Sequence, residues 1–174
     1  MPTSAIPRPG PGEYHPYYDT YLSKVPEGDL LATLAGLRES TARLLAEVGE
    51  GRAGHRYAPG KWTIREVVGH LSDAERIFAY RLLRIARGDP TPLAGFDEQR
   101  YVPAGGFERR PLAEVAAEFR AVRDATLALL RGLDAAALAR RGVANDSPVT
   151  ARALAYIIAG HEIHHVQVIR ERYL

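Results

Sequence analysis

Residues 160–167 read GHEIHHVQ and hold three of the chain's six histidines, at positions 161, 164 and 165. The stretch lies in a C-terminal helical pattern that starts near Pro148 or Thr150. Leu154, Ile158, His161, His165 and Val168 follow one another at steps of three and four, so one helix stripe carries them all. Such a stripe faces a core, yet two of its members are imidazoles. One turn apart on one face, His161 and His165 can direct ring nitrogens at a single ion. The same pattern is also that of a hydrogen-bonded core histidine with its neighbours at the surface. The rest of the chain has to separate these readings.

Working outward, three more long helices are expected. The first spans about residues 30–48 behind Asp29 as N-cap, with Leu30, Leu34, Leu37, Leu44, Leu45 and Val48 on its apolar stripe and glycines 49, 51 and 54 ending it. The second opens with the capping box Thr63/Glu66, carries Ile64, Val67, Leu71, Ala74, Phe78 and Leu82 inward, and stops at Gly88-Asp89-Pro90. His70 sits on the flank of that stripe. The third runs from about Pro111 to Leu130, and residues 134–140 have shorter helical propensity. Residues 142–147 read as a turn into the last helix, with Ser147-Pro148 or Thr150 as its cap. No alternating strand pattern is visible, so the chain reads as all-α, a four-helix bundle.

Residues 88–110 form an unusually long connection with three prolines and four glycines. Its length matters to the histidines. At 1.5 Å per residue, His70 lies about 10 Å from the start of its helix, and His161/His165 about 20 Å from the start but about 15 Å from the end of theirs. The three come level only if those helices run antiparallel. A plain up-down-up-down bundle makes them parallel; a crossover in residues 88–110, giving up-down-down-up, makes them antiparallel.

Composition removes several alternatives. The chain has 174 residues, 46% of them hydrophobic and 25% charged, and no cysteine. One domain is expected over residues 29–174, with 1–28 as an irregular N-terminal segment packing on it. Disulfides, thiolate metal sites and a cysteine nucleophile are excluded. The net charge of +2 and pI near 9 come from basic residues interleaved with acids, without a phosphate-tracking block, so no nucleic-acid partner is expected. The absence of a long apolar run or signal core points to no membrane partner and to the cytoplasm. Tyr14, Tyr17, Tyr18 and Tyr21, at helical steps, are expected to pack their rings on the bundle, the alternative being that they line a pocket or an interface.

The motifs then carry a resemblance. Residues 57–81, YAPGKWTIREVVGHLSDAERIFAYR, and 160–169, GHEIHHVQVI, resemble the second-helix and last-helix signatures of the DinB-like (DNA-damage-inducible) superfamily of metal-binding four-helix bundles. VPEGDLLATL at 25–34 and GFDEQRYV at 95–102 are similar to the same group. The resemblance implies an up-down-down-up bundle, a homodimer, and one divalent metal ion held by His70, His161 and His165. It also implies relatives that move a small electrophile onto a low-molecular-weight thiol, and others regarded as hydrolases. DNA binding is not implied by the name.

Ligand type makes zinc or nickel the expected ion. Three histidines and open positions are the layout of a reactive site. Two chemistries follow: transfer of a small-molecule electrophile to a thiol co-substrate, or hydrolysis by metal-activated water. A non-catalytic, stress-related metal-binding bundle is the third reading. His164, about 60° from His161 round the helix, is expected outside the ligand set, and Glu162, about 100° away, in solvent or against an arginine. Asp97, Glu98, His164 and the N-terminal tyrosines are the candidates for the site mouth.

Overall fold

The computed structural model describes residues 5–174. Each long helix starts where a polar side chain reaches its free N–H groups. A 3-10 turn at Pro16–Tyr18 runs into the short helix α1 (Asp19–Leu22). Asp29 accepts from Leu31 N and starts α2 (Leu30–Ala53). Thr63 and Glu66 bond each other's backbone N–H, as the capping box requires, and start α3 (Ile64–Ala86). A short helix α4 (Glu98–Gly105) precedes α5 (Leu112–Arg131), whose first N–H is satisfied across the bundle by Glu50 Oε2 at 2.8 Å. Then come α6 (Ala135–Ala139) and α7 (Ala151–Val168), the latter capped by Thr150. The chain ends in a π-helical turn, Ile169–Tyr173.

Several expectations are corrected at the joints. The first long helix does break after Val48, where Gly49 takes φ 63°, ψ 174°, but a separate helical turn follows it to Ala53. The third begins at Leu112, with Pro111 outside it as the N-cap residue. The connection at 88–110 contains α4 and a 3-10 turn, Phe107–Arg109. Residues 141–150 form an antiparallel hairpin, Arg141–Ala144 (β1) with Ser147–Thr150 (β2), turned by Asn145 and Asp146 at φ 51° and 58°. Pro148 therefore sits in a strand, and Thr150 alone caps the last helix. The N-terminal lead-in (residues 1–4 lie outside the described ones) is tied down by its side chains. Ile6 is buried and its carbonyl accepts from Tyr156 Oη, while Glu13 takes two bonds from Arg152 and one from Thr150.

Helix directions follow from which ends meet. Leu34 and Glu50 of α2 meet Arg123 and Leu112 of α5, so that pair runs antiparallel. Gly69 and Arg76 of α3 meet Phe107 and Glu118, so α3 and α5 run the same way. The end of α3 meets the start of α7, where Arg140 reaches Ala86 O and Ala151 N bonds Arg140 O. The connection after α3 therefore returns along the helix from Ala86 to the level of Gly69, about 25 Å.

The apolar core lies in two blocks. One holds Leu34, Phe78, Leu82, Leu127, Leu130 and Ile158; the other holds Leu44, Leu45, Leu71, Val115, Phe119 and Ile169. Between them every long helix contributes buried polar side chains at one level: Thr41 from α2, His70 and Glu75 from α3, Arg123 from α5, His161 and Glu162 from α7. Arg123 is fully buried. Its Nε and Nη2 hold both oxygens of Glu75 at 2.8 and 2.7 Å, its Nη1 lies 2.7 Å from Glu162 Oε2, and Thr41 donates to Glu162 Oε1 at 2.7 Å. Glu162 is thus paired with an arginine and is not in solvent.

Removing one member of such a cluster strands the others in a dry interior. Arg123→Met is expected to lower unfolding free energy by about 3–5 kcal/mol in urea titrations. The triple replacement of Glu75, Arg123 and Glu162 by leucine or methionine is expected to recover most of that loss.

Candidate metal centre

His70 from α3 and His161 and His165 from α7 converge. The ring nitrogens they offer all lie within 4.8 Å of one another, and His70 Nε2 is 3.1 Å from His161 Nε2. His70 and His161 are buried and His165 is half-buried. Burial pushes His70 down to about 4 and His165 to about 3, neighbouring imidazoles adding to the shift at His165. His161 is held well below its ordinary value by burial and by the nearby His165, His70 and His164. All three rings are therefore neutral at pH 7, the form in which imidazole ligates a metal. Three neutral nitrogen donors converging on one point fit a divalent ion, and no carboxylate forms an ion pair with them among the described residues.

Rings surround the trio. Trp62 lies 4.9 Å from His70, Tyr21 5.3 Å and Phe78 5.8 Å from His161. Two glycines permit this enclosure, each immediately before a histidine of the trio. A Cβ at Gly160 would stand 2.2 Å from Tyr21 O, and one at Gly69 would stand 2.3 Å from the Phe107 ring. The N-terminal segment and the crossover can thus lie directly against the two site helices.

The trio lines one part of an open cavity of about 650 Å³. Tyr17, Tyr18 and Tyr21 form one wall, so three of the four tyrosines line a pocket; Tyr18 also packs on the core, as does Tyr14, whose hydroxyl bonds Asp19. Phe96, Glu98 and Gln99 of the crossover line another side, and Asn145 and Ser147 of the hairpin a third. Asp97 is not a lining residue: it caps α4 through Gln99 N and pairs with Arg100. His164 is half-buried with its ring 5.4 Å from that of Tyr21, outside the converging nitrogens.

Sequence reasoning passed over Trp62, Arg81, Asn145 and Ser147. Arg81 had a signal: eleven residues on from His70, it falls on nearly the same helical face. The hairpin residues had none, because their turn was read as a plain linker.

A model of the DinB superfamily matches residues 33–169. The chain belongs to the DinB superfamily. Two solved structures share the fold of this DinB protein. The structure of YfiT from Bacillus subtilis, a probable metal-dependent hydrolase with an unusual four-helix bundle topology, superposes with a TM-score of 0.65 at 21% identity, covering 94% of this chain and 92% of that one. The mycothiol-dependent maleylpyruvate isomerase superposes with a TM-score of 0.67 at 15% identity, covering 83% of this chain and 61% of that one. No curated protein matches the sequence. No helix among the described residues is long and apolar enough to cross a membrane.

The depressed histidines set an acid limit on stability. In metal-free protein their contribution is complete above the ordinary value of 6.5 and is lost as pH falls toward about 4, because the unfolded chain takes up protons that the folded rings refuse. Thermal melts in chelator between pH 7.5 and 4 are expected to show this loss, on the order of 3 kcal/mol from His70. His70→Gln is expected to flatten the slope relative to wild type.

Proposed function

We propose that this DinB-superfamily chain is a divalent-metal-dependent enzyme that transfers a small electrophile onto a low-molecular-weight thiol. His70, His161 and His165 would hold the ion, zinc or nickel by ligand type. The observation that carries the reading is the convergence of three neutral imidazoles at the wall of an open cavity large enough for a small substrate. A purely structural ion would be closed off by a fourth side chain. When bound, the ion supplies Lewis acidity that lowers the pKa of a thiol or a water at its open position.

The chain's own residues favour the thiol over water. Among the described residues Glu98 is the one carboxylate lining the cavity, and it belongs to the crossover. A hydrolase needs a base within hydrogen-bond reach of the attacking water. A thiol stabilised as thiolate needs none. The rings of Trp62, Tyr21 and Phe78 pack against the imidazoles and present apolar faces to an alkyl or aryl electrophile. Hydrolysis, with Glu98 as base, is the second reading, favoured by the place of Glu98 in the cavity wall.

Metal analysis by mass spectrometry is expected to find about one zinc or nickel ion per wild-type chain and less than about a tenth of that in His161→Ala of unchanged helicity. The loaded protein is expected to accelerate conjugation of chlorodinitrobenzene with mycothiol or cysteine, and Glu98→Gln to retain that rate. Cleavage of p-nitrophenyl acetate that is lost in Glu98→Gln would overturn the transferase assignment in favour of the hydrolase.

A further inference from the structure

The molecule has two buried arginines with opposite surroundings. Arg123 holds two carboxylates. Arg81 is 3% exposed, lines the cavity, and forms no ion pair among the described residues. Of its five N–H groups the structure commits one, from Nη2 to Ala94 O at 2.6 Å. Its guanidinium carbon lies 5.9 Å from each of the Phe78 and Phe96 ring centroids. Burial without a carboxylate pulls its pKa down from the ordinary guanidinium value, yet an arginine stays charged. A buried, unpaired cation is costly in a folded chain unless something completes it.

We propose that Arg81 is an anion seat and that the small molecule received by this cavity carries a carboxylate. The proposal deepens the metal-enzyme reading and rests on it for taking the cavity as the substrate pocket. The free edge of the guanidinium offers the planar pair of donors that a carboxylate matches with both oxygens. Phe78 relates this seat to the trio: its ring is 5.9 Å from the guanidinium carbon and 5.8 Å from the His161 ring. An aryl or short alkyl acid therefore spans from Arg81 to the imidazoles, with its body along the rings. One cation between two aromatic faces suits a monoanion with an apolar body; a phosphate dianion would call for more donors than the wall provides. Glu98, on the same cavity, does not reach Arg81 and leaves the seat open. Asn145 and Ser147, from the hairpin, add neutral polar groups to the lining.

The test is equilibrium binding of phenylacetate, phenylacetamide and phenyl phosphate to the full chain, as purified and after chelator treatment. In the chelated wild type phenylacetate is expected to bind at least about tenfold more tightly than the amide. Arg81→Lys is expected to keep part of that preference, because charge remains but the fork is gone. Arg81→Met is expected to abolish it while taking up zinc as wild type does and melting no lower, since it removes an unpaired buried charge. A preference for phenylacetate that survives in Arg81→Met overturns the proposal, as does its absence in the wild type. Tighter binding of phenyl phosphate than phenylacetate overturns the assignment to carboxylates. If Arg81→Met does not fold, the seat is structural and the proposal fails unless Arg81→Lys still separates acid from amide. Failure of the metal reading shows separately, as absent zinc uptake in every variant, because the chelated comparison needs no ion.

Discussion

The bidentate hold of Arg123 on Glu75, with Glu162 and Thr41 completing it, is the constraint that the rest of this bundle is arranged around. It ties side chains from all four long helices at one level between two apolar blocks. Apolar packing alone tolerates sliding and exchange of partners, since leucines fit many leucines. A fully buried guanidinium does not, because any shift by a turn would leave a charge unmatched in a dry interior. Two carboxylates around one cation also leave excess negative charge, and burial accordingly raises the pKa of Glu162. The histidine trio shares this level: His161 precedes Glu162, and His70 lies little more than a turn from Glu75. The register that satisfies Arg123 therefore also brings the imidazoles into line.

The imidazoles themselves are held differently. Metal-ligating histidines commonly donate their second ring nitrogen to a carboxylate or carbonyl. Here aromatic rings pack around them, and the hydrogen bond the structure shows for the trio runs between His70 and His161. Ligands without carboxylate support are weaker bases, and an ion bound by them keeps more of its own Lewis acidity. Under the proposed metal reading, such a seat would favour activation of a bound group over permanence.

Much of this was readable in the sequence because it rests on local periodicity. The i, i+4 pair at 161 and 165 has to share a face, Thr63 and Glu66 have to cap a helix, and a connection as long as 88–110 has to travel. What was not readable depends on partners distant in sequence. Glu75, Glu162 and Arg123 are charged residues on helices, and each alone is indistinguishable from a solvated position; only the third helix's arginine makes the other two interior. The hairpin was hidden by strands of four residues, by a turn of Asn145-Asp146 in place of the usual asparagine-glycine, and by a proline that mimicked a helix start. The N-terminal segment looked loose by composition, yet Ile6, Arg8 and Glu13 fasten it to α1, α7 and the chain just before α7.

Gly69 and Gly160 each sacrifice helix propensity next to a histidine, about 1 kcal/mol relative to alanine. Through them, two pieces of chain that belong to none of the long helices become the walls of the cavity. The converging imidazoles and the walls of the cavity are thus separate parts, joined at two points where a side chain is missing. Such a division lets changes in the N-terminal segment and the crossover reshape the cavity while the imidazoles, borne on the long helices, keep their places.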